Sequence, residues 1–442
     1  MVYVACDVLL RGAQVKRAQP SIPAQPFISS ERPLRASIAA FAAVWLSLAM
    51  SAAHAMDSTE VLPESINSPS VRMGYVSGIG LRFMSSGSLM SLGETNSIQF
   101  DTKTLMQFEP RVKQLVEVLN QFGDQKLGDA LSLGVLRVET SPEVKYLAPV
   151  YARGMTANWT VGFGVPIVSY KNKISLRQVG SNVAEVKSVV GNASKELNKA
   201  FSEVSVDLAT KAQEILTQKG YKPLTDRNEN QLGDVQLVSL LQFAKTEKTA
   251  FQLKTLLSLP TGQGNDPDDL ADLGAFGYTA LENQILGNYI LSGRWRFAAK
   301  AGYRYNIADR VERRVPLNEN DTLPDQSTKE RVSRETGGAM FAGASVTYSV
   351  FETLDLALGF ESTRKDGDTY RGTNGRRYDL LSRDTNSSSD RVRVGLTYSS
   401  VDTFVAGRAW LPTMIAYEFS DTLRGLNTER MTIHEVWLQL FF

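Results

Sequence analysis

Cysteine and histidine are almost missing from this chain: Cys6 is the one cysteine, and His54 and His434 are the two histidines. An N-terminal stretch that reads as an export leader carries off Cys6 and His54. What remains can form no disulfide, thiol nucleophile or thiolate metal site. Net charge is lacking too, with 48 Lys and Arg against 47 Asp and Glu. Such a balance gives no long-range pull on nucleic acid, which is excluded as a partner. Beyond the leader no apolar run approaches the roughly 18–20 residues of a membrane-spanning helix. No phosphate loop or dinucleotide-binding glycine pattern occurs, and no cofactor is expected.

The N-terminus itself is informative. Arg32 and Arg35 precede an uncharged apolar run, 36–50, and Ala53-His54-Ala55 follows. Basic region, apolar region and small-x-small site, in that order, make a secretory signal. The run is too short to cross a bilayer as a helix. Residues 1–55 therefore read as a leader cleaved before Met56, with 1–31 either an extension of it or upstream of the true start. Its removal leaves 43 Lys and Arg and 45 Asp and Glu, a formal charge of −2. Residues 56–70 read as a short periplasmic segment and 71–442 as one domain.

That domain alternates with a period of two. Trp295, Phe297, Ala299, Ala301, Tyr303 and Tyr305 oppose Arg296, Lys300, Arg304 and Asn306. Leu354, Leu356, Leu358 and Phe360 oppose Asp355 and Glu361; Val392, Val394, Leu396 and Tyr398 oppose Arg391, Arg393 and Thr397. At the C-terminus Val436, Leu438, Leu440 and Phe442 oppose Glu435, Trp437, Gln439 and Phe441. A strand puts the two sets on opposite faces. No segment follows to cover the last apolar face, so lipid is its expected partner. A soluble sandwich would show the same pattern within each strand. Link lengths separate the two readings.

Short links near 157–158, 246–247, 293, 350–351 and 400–402 alternate with long polar ones at 172–231, 260–279, 308–335, 365–388 and 422–428. Short periplasmic turns facing long external loops belong to outer-membrane barrels. The expectation is an all-β, transmembrane antiparallel β-barrel of 14 strands. Their ranges are 71–84, 95–103, 129–140, 143–156, 158–171, 232–245, 248–259, 280–292, 294–307, 336–349, 351–364, 389–400, 403–421 and 429–442. If 129–156 is one strand and 95–103 is not one, the number is 12. Trp159, Trp295, Phe351 and Phe404 lie near the short links and suit an aromatic girdle at one membrane interface.

Two segments carry a helical stripe. One starts at Glu109-Pro110 and runs Val112, Leu115, Val116, Leu119, Phe122; under the fourteen-strand parity it falls on the periplasmic side. The other is a helical insertion, 182–220, in the longest external loop. Asn182 and Glu185 have the spacing of a capping box. This second helix reads as a lid over the lumen mouth or as a hairpin packing on the rim.

If Phe442 faces lipid, parity turns Arg296, Lys300, Arg304, Arg391, Arg393 and Arg408 inward, with Asp355, Glu361, Glu418 and Glu435. Unpaired charges in a closed interior are costly, so these should pair or meet water. They line a solute path or brace the wall. Catalysis has little support, because only His434 survives export and it shares the lipid-side face of its strand. The run 265–269 with Asp272 supplies oxygens, but the spacing fits no calcium loop; it reads as a solvated acidic loop, and no metal site is assigned.

Two resemblances add to this. The final strand is similar to the closing strand of bacterial outer-membrane barrels, which implies recognition by the barrel-assembly machinery through Val436, Leu438, Leu440 and Phe442. From Leu232 to Asn306 the order is Leu232-Gly-Asp-Val-Gln236, then Leu256-Leu-Ser-Leu-Pro-Thr-Gly262, a glycine-rich loop, and Ala301-Gly-Tyr-Arg-Tyr305. This resembles outer-membrane barrels of the meta-pathway phenol degradation type, allied to fatty-acid and toluene transporters. The resemblance implies a passive outer-membrane channel for small apolar or aromatic solutes. The Asn-Pro-Ala hatch of the fatty-acid transporters has no counterpart before Val71, so no ligand-binding residue carries over. A structural barrel with a blocked lumen is the alternative, and an outer-membrane lipid hydrolase a third reading.

Overall fold

The computed structural model describes residues 56–92, 106, 110–121, 127–132, 134–190, 201, 208–272, 277–319 and 321–442. The expected leader, 1–55, and the expected strand 95–103 lie outside the described residues.

Twelve antiparallel strand positions close into a ring in chain order. They are β1 (Asn67–Ser77), β2 (Val135–Thr156), β3, β4, β5 (Thr249–Leu259), β6 (Ala280–Ser292), β7 (Trp295–Asn306), β8 (Ala339–Phe351), β9 (Leu354–Lys365), β10 (Ser387–Ser399), β11 (Thr413–Leu426) and β12 (Thr432–Leu440). β3 comes in two pieces, Trp159–Gly164 and Ile167–Val179, and β4 in two, Arg227–Leu232 and Val235–Lys245. The interruptions sit side by side, at Val165-Pro166 and Gly233-Asp234, where Pro166 cannot donate to the ladder and Gly233 N–H bonds to its carbonyl at 2.7 Å. β1 closes the ring, pairing with β12 over Ser70–Ser77 and with β2 over Asn67–Val76.

Fourteen strands is thus corrected to twelve. The stretch expected to be two strands, 129–140 and 143–156, is a single strand from 135 that runs through Pro142 and Pro149. The new parity moves the first helical loop. With short links on the periplasmic side, the connection from β1 to β2 is external, as is that from β3 to β4. Helices α1 (Pro110–Asn120), α2 (Leu127–Ala130), α3 (Val183–Val190) and α4 (Leu208–Gln218) occur in these two connections. Val112, Leu115, Leu119, Val190, Leu208 and Ala212 share one buried cluster, so the two stripes pack on each other. Asn182 does not cap its own helix with its side chain. Its Oδ1 accepts from Ser132 N (2.6 Å) and its Nδ2 donates to Ala130 O (2.8 Å), tying the two connections together.

Outside the ring, strands 309–314, 329–335 and 369–371 form an external sheet above β7–β9. The acidic run expected to be solvated fastens this region instead. Asp268 bonds Arg314 Nε (2.8 Å) and Lys329 Nζ (2.9 Å), and Asp269 bonds Arg227 Nη2 (3.0 Å). Arg314, fully buried, also donates to the carbonyls of Lys219 (2.6 Å) and Gly220 (2.5 Å) and lies 3.7 Å over the Tyr221 ring. Three external connections meet at that one guanidinium.

Candidate functional site: the lumen

Alternation divides the barrel strands, the polar first piece of β4 apart, into an exposed apolar set and a buried inward set. Phe251, Ile285, Phe297, Leu358, Val394 and Leu438 are among the exposed side chains. The inward set is not uniform around the ring. On β2–β4 it is largely apolar, with Val144, Val150, Ala152, Val168, Val238 and Leu240 all buried, while β5 buries Leu256 among Gln252, Lys254 and Ser258. Most of the inward charges stand on β7–β12, with Arg72 on β1, Lys254 on β5 and Glu282 on β6.

Those charges pair. Lys300 Nζ lies 2.5 Å from Glu361 Oε2, and Arg393 Nε lies 2.7 Å from Glu418 Oε1. Arg296 pairs with Asp355, which also accepts from Ser349 Oγ at 2.6 Å. Arg304 Nε donates to Glu282 Oε2 (2.9 Å), and Arg72 Nε to Glu435 Oε1 (2.9 Å), with Tyr146 OH bonded to the same carboxylate. In the register Glu418 faces Glu435, and Glu361 faces Arg391. Arg391 differs from the rest. It points inward and is only 5 % exposed, yet its Nε and Nη2 meet no hydrogen-bond partner among the described residues.

The segment before β1 enters this lumen, which corrects its reading as periplasmic. Asp57 is buried, 2.9 Å from Lys300 Nζ and 3.1 Å from Arg393 Nη1, so two cations of the charged wall hold it. Gln242 Nε2 and Gln252 Nε2 donate to the carbonyls of Thr59 (2.9 Å) and Glu60 (3.3 Å). Leu62 is buried in a cluster with Val150, Ala152, Val238, Leu240 and Leu256. Glycine makes the approach possible: a Cβ on Gly154 would run into the Pro63 carbonyl, and one on Gly359 would come within 2.7 Å of Met56 Sδ. A cavity of about 640 Å³ lies on the periplasmic side of this segment, lined by Glu60, Glu64, Gln242, Arg296, Asp355 and Phe441.

Nine of the ten charges expected inward lie on the inward face of a strand. Arg408 does not. It follows the short helix α5 of the chain from Val401 to Val405 on the link between β10 and β11, where it pairs with Glu352 at 2.8 Å, both side chains 57 % exposed. The period of two was extended across that link, which is a helix and turn. Phe404 lies in the same helix rather than on a strand, and is exposed. Trp159, Trp295 and Phe351 are exposed at strand ends beside short links, with the Trp295 ring centred 4.7 Å from that of Tyr348 and tilted 47° to it. Val436, Leu438 and Phe442 are exposed and Leu440 is half-buried. His434 sits on the outer face, its Nδ1 2.8 Å from Tyr417 OH. The expected lumen set lacks four charged residues: Arg72, Lys254 and Glu282, which the same parity turns inward, and Asp57, which belongs to no strand.

A closed twelve-strand antiparallel ring with an apolar outer face and a charged interior defines a β-barrel of the bacterial outer-membrane type. The family model described as "Putative MetA-pathway of phenol degradation" matches residues 134–409, and the chain belongs to that family. No curated protein matches it. Among solved structures, an outer membrane channel from Pseudomonas putida F1 is similar in fold at 12% identity, covering 88% of this chain and 100% of that one with a TM-score of 0.50. The P. putida toluene transporter TodX aligns at 10% identity over 86% of this chain and 91% of its own, with a TM-score of 0.33.

Proposed function

We propose that the protein is a passive outer-membrane channel for small apolar or aromatic solutes, closed at rest by residues 56–62. The observation that carries this is the apolar stretch of the inward wall on β2–β4, continued by Leu256 of β5. Barrels that pass hydrophilic solutes have polar interiors, whereas Val144, Val168, Val238, Leu240 and Leu256 offer a surface that water does not favour and an apolar solute does. The phenol-degradation description of the family agrees with such a solute. The charged wall holds the closing segment through Asp57. No nucleotide motif provides energy, so the solute gradient drives passage.

The buried closing segment also favours a second reading, a barrel whose lumen stays blocked and whose external loops carry its role. Asp57→Asn separates them. It removes the negative charge that Lys300 and Arg393 hold. In planar bilayers the channel reading expects longer open times and higher mean conductance than wild type. In cells it expects slowed growth on aromatic carbon sources after deletion of the gene. Unchanged conductance in Asp57→Asn together with normal growth of the deletion strain would sink the channel reading.

A further inference from the structure

We propose that Arg391 is the receptor for the acid group of an amphipathic solute, a molecule with an apolar body and a single carboxylate. This rests on the channel reading and names its substrate class.

Three observations carry it. The first is the state of the side chain. The inward cations Arg72, Arg296, Lys300, Arg304 and Arg393 each have a carboxylate partner. Arg391 is as buried as these, and the carboxylate facing it in the register, Glu361, is already engaged by Lys300 at 2.5 Å. A buried guanidinium without a hydrogen-bonded counter-charge is costly to keep. A barrel wall that keeps one has a use for it.

The second is which atoms are free. Nε and Nη2 form one edge of the guanidinium, two parallel N–H donors. That edge matches the two oxygens of a carboxylate in a bidentate pair. One cation with one free edge suits a monoanion. The Ser345 hydroxyl, 7 % exposed, also lacks a partner among the described residues, and its cross-strand row runs through Gly359 to Arg393, two residues along β10 from Arg391.

The third is position. β10 runs from the external side to the periplasmic side, so Arg391 stands one inward position outside Arg393, where Asp57 closes the lumen. A solute arriving from outside meets Arg391 before the closing segment. Six positions round a ring of twelve is the opposite wall, and there β4 presents Val238 and Leu240, flanked by Val168 of β3 and Leu256 of β5. Leu62 covers Val238, Leu240 and Leu256 in the closed state, so an acid group on β10 leaves the solute's apolar body facing the surface that Leu62 gives up on opening.

The test compares 4-phenylbutyrate with the neutral 4-phenyl-1-butanol, titrated calorimetrically into the full barrel reconstituted in nanodiscs. Wild type is expected to bind the carboxylate about tenfold more tightly than the alcohol. Arg391→Gln should abolish that preference while leaving alcohol binding in place, and Arg391→Lys should restore part of it. A structural role would lower resistance to unfolding in Arg391→Gln; a receptor role leaves it unchanged or higher, since no protein partner is lost. Equal binding of both probes by wild type, or a preference that survives in Arg391→Gln, overturns the acid-group proposal and leaves the channel reading standing. Failure of wild type to bind either probe, with no flux of either into liposomes, overturns both.

Discussion

The two halves of the lumen wall hold the same short segment by different physics. β2–β5 grip Leu62 through apolar packing with Val150, Val238, Leu240 and Leu256. β7–β11 grip Asp57 through Lys300 and Arg393, which Glu361 bridges while Glu418 pairs with Arg393. Packing is non-directional and degrades gradually as atoms are removed. An ion-pair network in a low-dielectric interior does not; losing one member leaves the others uncompensated. The charged half is thus expected to act as a latch and the apolar half as a surface along which the segment, or a solute, can slide.

The sharpest way to break this comparison is Arg393→Ala. It removes the shared partner of Asp57, Glu361 and Glu418. A loss of about 3–5 kcal/mol is expected from the buried carboxylates left behind. Urea titration read by the mobility shift of the unfolded barrel on gels checks it. A loss below about 1 kcal/mol would show that water, rather than Arg393, balances those acids. On the apolar half, Leu240→Ala should cost less, about 2–3 kcal/mol, since the site can partly collapse around Leu62. It should also raise basal conductance, whereas a silent conductance trace would deny Leu62 its part in the closure.

The outer face of the barrel was legible in the sequence because lipid imposes one rule on every strand. β7, β9, β10 and β12 obey it residue by residue, and the charges opposite fell inward with them. The apolar half of the lumen was harder to see. In β4, Leu237 and Leu241 face out while Val238 and Leu240 face in, so both faces look apolar and only Gln236 and Gln242 mark the interior. Arg408 was misplaced because a helix, not a strand, precedes β11. Asp57 carried no local signal at all. Its partners, Lys300 and Arg393, are distant in sequence and come together only when the ring closes, and a segment this short has no period to read.

A further contrast, between the barrel and its external cap, is sharpened by Arg314→Ala. Arg314 binds α4's C-terminal carbonyls and Asp268 from a neighbouring connection, but touches no barrel strand through these bonds. Loss of these charge-assisted bonds should loosen the cap by about 2 kcal/mol locally, or roughly thirtyfold faster amide exchange over 208–221. Barrel amides should exchange at the wild-type rate. Equal acceleration in β3 and β4 would mean that cap and barrel unfold as one unit.

The smallest expected effect is on acidification, and its direction follows from Asp268. Burial alone would raise this carboxyl's pKa, but the hydrogen bonds from Lys329 and Arg314 outweigh that and hold it below its ordinary 3.8. Asp266, bonded to Lys222, is lowered in the same way. A group whose pKa is depressed by folding stabilises the fold above its unfolded value, and that contribution disappears as pH falls through the folded value. The cap should therefore keep its full fastening from neutral pH down to about pH 4 and loosen only below that. The side chains are partly open to solvent, so the effect should be modest and weaker in high salt. Amide exchange over 208–221, corrected for its intrinsic pH dependence, measures it. Asp268→Asn should be looser at neutral pH and lose less on acidification than wild type, the remainder coming from Asp266. Loosening of the wild-type cap between pH 5 and 7 would point away from these carboxylates, because no deprotonation of a group held below 3.8 takes place there.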